Sequence, residues 1–153
     1  MTLDNRINST WWMLRIGLGL GAFLAGLDKF FNLLTDWTMY LSPMATQVVP
    51  VSAATFMHVV GVVEMIVGLA LLTRWTRLGG YVMSGWLVAI AVNLLTTGMF
   101  YDLAVRDVEI AIAAFVLARL TEVRQEALQS AAGRAPGNAG ADGPILRLGL
   151  AKY

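Results

Sequence analysis

The sequence predicts an all-α protein: a bundle of four transmembrane helices with both termini cytoplasmic and a linker-tethered C-terminal tail. Three observations predict it. The 153-residue chain is 58% hydrophobic and 14% charged, with a mean hydropathy of +0.66, where a soluble domain carries about 25% charged residues. Four apolar segments approach or exceed the ~20 helical residues that cross ~30 Å of hydrocarbon. Arginine and lysine gather on the segments that four spans leave on one side.

The first span is expected over about 11–34. It begins at the Trp11-Trp12 pair, aromatic residues of the kind that mark a headgroup boundary. Apolar sequence continues to Leu34, past Arg15 and without a small-residue cleavage site, so the segment reads as a span and not as a cleaved signal. Arg15, Gly19, Ala22, Gly26 and Lys29 share one helical face, and the small residues on it form a seam for close helix approach. Residues 36–51, with Pro43 and Pro50, read as a loop lying at the interface. The second span, about 52–73, follows Ser52 as N-cap and carries Glu64 in the middle of an apolar run. A basic turn, Arg74 to Arg77, leads to the third span, about 78–97, which holds Gly79, Gly80, Ser84, Gly85 and a lone polar Asn93. The fourth, about 104–121, opens with Arg106, Asp107 and Glu109 and is then alanine-rich. These spans form one unit, residues 1–121.

Residues 122–153 form a cytoplasmic tail. Polar helix continues to Ala132, followed by a Gly/Ala/Pro linker of flexible composition. An apolar cluster, Ile145, Leu146, Leu148 and Leu150, then closes the chain as a docking segment for a neighbouring subunit. Arg74 and Arg77, with the arginines and lysine of the tail, place both termini in the cytoplasm by the positive-inside rule.

Composition also excludes several functions. A net charge of +1 gives no basis for nucleic-acid binding. The lack of cysteine excludes disulfides, thiolate metal sites and a cysteine redox relay. One histidine excludes a bis-histidine haem held by this chain alone, and no metal is expected.

A charge at mid-membrane costs roughly 2.5–3.5 kcal/mol on insertion scales and is normally paired inside a bundle. Glu64 lies roughly 13 Å, and Arg15 roughly 6 Å, from the inner boundary, so an Arg15–Glu64 structural pair is expected, either as a clasp between helices or as the start of a charge relay. Lys29, His58, Asn93, Arg106 and Glu109 fall within roughly 4–9 Å of the outer boundary and draw on all four helices. They are the candidate ligand-binding residues, with snorkelling to water as the plainer account. No residue is singled out as catalytic.

The chain resembles the DoxX-like family of small four-helix membrane proteins. The motifs are Leu14-Arg15-Ile16 with Gly19, then Gly26-Leu27-Asp28-Lys29-Phe30, and Gly61-x-x-Glu64-x-x-x-Gly68 followed by Thr73-Arg74. Arg106-Asp107 opens the alanine-rich fourth helix. Trp11 to Leu120 is covered and the tail is unmatched. The resemblance implies a bacterial cytoplasmic membrane and association with redox complexes, the family being named for a subunit of a thiosulfate:quinone oxidoreductase. Arg15, Lys29 and Glu64 take the positions of its recurrent charged residues. A chain without cysteine departs from any persulfide mechanism carried out alone.

Two functions follow. The chain is expected to be a non-catalytic accessory subunit of a membrane-embedded redox or electron-transfer complex, held there by helix packing and its tail. The alternative is a quinone-binding subunit of a DoxX-like oxidoreductase, with His58, Asn93 and Lys29 as donors and Glu109 as proton partner. Expected partners are the bilayer, other membrane subunits and, in the second reading, a quinone. A small transporter fits less well, since the sequence has no internal repeat.

Overall fold

The computed structural model describes residues 3–48 and 51–133, all of it helix and connecting turns with no strand among the described residues. Helix α1 spans Leu3–Asp28, a 3-10 turn Trp37–Tyr40, and the short α2 Pro43–Val48. The long helices α3 (Ala53–Leu72), α4 (Thr76–Thr96) and α5 (Tyr101–Gly133) follow.

Three helices are long and apolar enough to cross a membrane: α1 from Arg6 to Asp28, α3 and α4. Their outward faces carry Leu20, Leu24, Val62, Ile66, Leu69, Val82, Val88 and Val92, all exposed. An apolar exterior of this extent suits lipid and not water, as expected of an integral membrane protein. Helix α5 carries Arg106, Asp107, Glu109 and Arg119 along its apolar half and is not among the three.

The helices form two close antiparallel pairs, α1 with α3 and α4 with α5, joined along α3–α4 and α1–α5. Glycines set the first pair. A Cβ on Gly26 would lie 2.5 Å from the Gly61 carbonyl oxygen, and one on Gly68 would lie 2.7 Å from that of Gly19. Gly19 and Gly26 are two turns apart on α1, as Gly61 and Gly68 are on α3, so the two contacts repeat along an antiparallel crossing. The predicted small-residue seam is present, and backbone lies against backbone along it. In the second pair Gly80 is set against the Ala114 carbonyl and Ala118.

Capping fixes the helix ends. Ser52 Oγ accepts from the Thr55 backbone N–H at 3.1 Å and starts α3. Helix α1 stops at Asp28, earlier than the predicted boundary near 34. The Asp28 carboxylate accepts from the N–H groups of Leu33 and Leu34, at 3.1 and 3.2 Å, and Asn32 adopts a left-handed conformation that ends the helix. The fourth long helix runs beyond the predicted span because the polar stretch after Thr121 is made of good helix formers. The predicted docking segment, Ile145, Leu146, Leu148 and Leu150, lies outside the described residues.

The main core sits at the end of the bundle that carries the α3–α4 turn: Trp11, Val67, Leu71, Met83, Ala114 and Leu117. Trp11 donates its indole N–H to Thr121 Oγ1 at 2.7 Å, tying α1 to α5. At the opposite end a smaller cluster, Ala91, Leu94 and Ala104 with Tyr40 and Phe100, closes the α4–α5 hairpin.

Candidate functional site

The ion pair at the centre of the bundle is not the predicted one. Lys29 Nζ meets Glu64 Oε2 at 2.5 Å, with the two side chains 4% and 12% exposed. Arg15 instead lies at the C-terminus of α3, donating to the carbonyls of Leu71 (2.9 Å), Leu72 (2.8 Å) and Thr73 (2.6 Å). The physical reason is register. The glycine contacts place Arg15 level with the last turn of α3, two turns below Glu64, and they place Lys29 near Gly61, one turn from it. The last carbonyls of a helix have no intrahelical donor and carry the negative end of its dipole, so a guanidinium is well placed there. Trp11 and Trp12 flank that guanidinium, with ring centroids 4.8 and 4.9 Å from Cζ. The paired glycines 19/26 and 61/68 were the sequence signal that could have given this register.

Lys29 is engaged on several sides. Besides Glu64 it reaches the Ala25 carbonyl at 3.4 Å and lies 3.7 Å from the centroid of the Trp37 ring. Its neighbour Asp28 does not pair with it. Asp28 accepts from Trp37 Nε1 at 2.8 Å, in addition to the two backbone N–H groups that end α1.

Next to this pair is a cavity of about 500 Å³. Phe56, Met57 and Val60 of α3 and Trp86, Ala89 and Ile90 of α4 form much of its wall, to which Leu103, Arg106 and Asp107 of α5 also contribute. The segment from Leu34 to Leu41 covers it, presenting Trp37 and Tyr40. Two ties hold this cover. One is the Asp28–Trp37 bond. The other is Asn93, whose amide nitrogen donates to the Tyr40 carbonyl at 2.8 Å while its oxygen accepts from the Ser42 N–H at 3.2 Å. Asp36 caps the 3-10 turn: the Thr38 hydroxyl and backbone N–H donate to its carboxylate at 2.6 and 3.0 Å, and these bonds hold its pKa below the ordinary carboxylate value.

Of the five candidate ligand-binding residues, Lys29, Asn93 and Arg106 reach the cavity wall. The other two do not line it. His58 is exposed and stacks on Phe30, with centroids 4.8 Å apart and planes 5° from parallel, and Glu109 is exposed on α5. Arg106 pairs with Asp107 at 2.9 Å and not with Glu109. Sequence reasoning missed Trp37, Trp86 and Asp107 as wall residues. Asp107 is buried in the second turn of α5, beside the exposed Arg106 and Glu109, and nothing in the sequence distinguishes it from those two neighbours. Among the described residues no group of three His, Cys, Asp or Glu side chains is arranged to hold a metal ion.

Fold and site together define a class: an all-helical protein with three membrane-capable helices and a partly open, mainly apolar cavity beside a buried ion pair among the described residues. No family model, curated protein or solved structure matches the chain.

Proposed function

We propose that this chain is a four-span membrane protein with cytoplasmic termini that binds a small lipophilic molecule of quinone type in the cavity between α3, α4 and α5. The observation that carries the reading is the cavity itself. Its volume of about 500 Å³ falls within the ~300–1,000 Å³ typical of small-molecule sites, and its wall is mainly apolar and aromatic with a few convergent polar groups. A flat ring would lie among Trp37, Tyr40, Phe56 and Trp86. The Glu64 and Asp107 carboxylates stand at the wall as groups able to take or give protons, which reduction or oxidation of a quinone requires. Ionisable side chains at membrane depth are costly and mark functional sites by default.

The placement of the membrane supports the reading. About 27 Å of helix separates Trp11 from Lys29, close to the thickness of the hydrocarbon layer. Trp12, Trp75 and Tyr81 cluster toward one boundary, and Trp37, Tyr40 and Tyr101 toward the other. Helix α5 is the fourth span, its charges turned to the cavity or to the boundary. The motifs of the DoxX-like resemblance, Gly26 to Phe30 and Gly61 to Gly68, contain the residues that build the glycine seam and the ion pair. On that resemblance we propose a bacterial cytoplasmic membrane as its location, with redox proteins as partners. The accessory-subunit alternative draws on the docking segment Ile145 to Leu150, which lies outside the described residues, so the cavity is the stronger ground.

The test is extraction of the full chain from its membrane in mild detergent, followed by mass spectrometry of the organic-soluble fraction. A quinone or similar lipophile should co-purify near one per chain. Val60→Trp, which fills the cavity, should lower that occupancy at least tenfold. Equal amounts of lipophile in the wild type, the filled variant and a detergent blank would refute the reading.

A further inference from the structure

We infer that Trp86 is the residue that recognises an oxygen on the cavity's ligand, its indole N–H donating to a carbonyl group of the bound molecule. This rests on the reading that the cavity holds a lipophilic ligand. It adds which atom confers specificity and for what chemistry.

The inference comes from a census of the nitrogen-bearing side chains on the cavity wall: Lys29, Trp37, Trp86, Asn93 and Arg106. Four are engaged. Lys29 holds Glu64, Trp37 holds Asp28, Asn93 holds the backbone of the cover, and Arg106 holds Asp107. Trp86 Nε1 is different: it is buried from solvent and has no acceptor among the described residues. A buried donor without an acceptor is destabilising, and native structures keep few of them unless a ligand, ion or water supplies the missing partner. An indole N–H only donates, so the missing partner is an acceptor.

Register locates this donor. Leu71 of α3 lies against Gly79 of α4. Two turns further into the bundle along each helix of this antiparallel hairpin come Glu64 and Trp86, so the two stand at the same level. A ligand ring at that level has Trp86 on the α4 side and the Lys29–Glu64 pair on the α3 side. A 1,4-dicarbonyl ring, with oxygens at opposite ends, matches this arrangement. A hydrocarbon ring of the same size would fill the space and leave the donor unsatisfied. On this inference the cavity favours oxygen acceptors over purely apolar molecules of the same shape.

The test uses the full chain in lipid nanodiscs with two probes, a decyl-substituted 1,4-benzoquinone and decylbenzene, titrated calorimetrically. The wild type should favour the benzoquinone. Trp86→Phe should weaken benzoquinone binding about 3- to 10-fold, the range of one net hydrogen bond, and leave decylbenzene within about twofold. Replacement of Trp86 by benzothienylalanine, which keeps the ring shape and lacks the N–H, should reproduce this and serves where the phenylalanine variant does not fold. Unchanged benzoquinone affinity in both variants would overturn the inference, the donor then being satisfied by water. If Lys29→Met weakens the probe in that case, the cavity reading survives without Trp86. A wild type that binds neither probe would end both.

Discussion

The two ends of the bundle solve the packing problem in opposite ways. At the end holding the α3–α4 turn, the chain is closed: Leu71, Leu117 and Ala114 are fully buried, and Arg15 and Thr76 satisfy the last carbonyls of α3. The other end holds a cavity of about 500 Å³, covered by a turn that is pinned through side-chain hydrogen bonds and through Tyr40 packed on the smaller Ala91–Leu94–Ala104 cluster. Polar residues serve different purposes at the two ends. At the closed end they complete helix termini. At the open end they form a buried ion pair and position the cover. The difference teaches that charge in an apolar bundle is informative only together with its register: Arg15 and Lys29 look equivalent along the first predicted span, yet one caps α3 and the other, just past the end of α1, lines a cavity.

The comparison breaks most readily at Lys29–Glu64. Removing one partner from a buried pair leaves an uncompensated charge, at a cost of about 3–5 kcal/mol in soluble proteins. Glu64→Ala and Lys29→Ala should each lower the thermal midpoint in detergent markedly. The double change Lys29→Met with Glu64→Met removes both charges together and should recover most of the stability, yet not benzoquinone binding. A double variant that binds as the wild type does would make the open end as purely structural as the closed one.

The closed end is tested at Gly68. A methyl group there would lie 2.7 Å from both the Gly19 carbonyl oxygen and the Phe23 backbone nitrogen. Neither is a flexible side-chain tip, so the helices must move apart, and overpacking of this kind costs about 1–3 kcal/mol. Gly68→Ala should therefore destabilise the bundle in thermal unfolding. Gly17, with nothing within 4 Å of its would-be Cβ, is the control, and Gly17→Ala should be neutral or slightly stabilising. Equal effects at the two positions would mean that the α1–α3 seam is not in close contact.

Much of this was legible in the sequence, for identifiable reasons. The four long helices follow from apolar segments bounded by Ser52, the Arg74 to Arg77 turn and the prolines of the first connection, whereas the 3-10 turn and the short α2 inside that connection were read as loop. The close seam follows from Gly19, Ala22 and Gly26, because small residues on one face have few uses other than backbone approach. Residues facing the cavity were only half legible. Lys29, Asn93 and Arg106 were placed by depth, and depth does not say which way a side chain turns, so His58 and Glu109 were placed with them although both are exposed. Pairing was not legible from depth either. Arg15 could reach Glu64 along the membrane normal, and only the offset between the α1 and α3 glycines rules it out. Trp86 lies mid-helix, but its unsatisfied N–H is a property of its neighbours and not of its own position.

The smallest expected effect concerns the cover. Asp36 accepts from the Thr38 hydroxyl and backbone N–H, and these bonds hold its folded pKa below the unfolded value. A carboxylate with a depressed folded pKa contributes stability that is fully present above its unfolded pKa, about 4, and is lost as pH falls through the folded value. The cap should therefore loosen only in the acid range, and only locally, since Asp36 is exposed at the start of a four-residue turn. Hydrogen exchange, corrected for its intrinsic pH dependence, should show protection falling at residues 38–41 of the wild type between about pH 5 and pH 3. Asp36→Asn keeps an acceptor oxygen but cannot titrate, so its cover should lose less protection over the same interval. Amides at the closed end, around Leu71 and Leu117, should respond alike in both proteins. Should the Asn variant follow the wild type throughout, the acid sensitivity of the cover belongs to Asp28 under Trp37. The tie from α1, and not the cap within the turn, would then hold the cover in place.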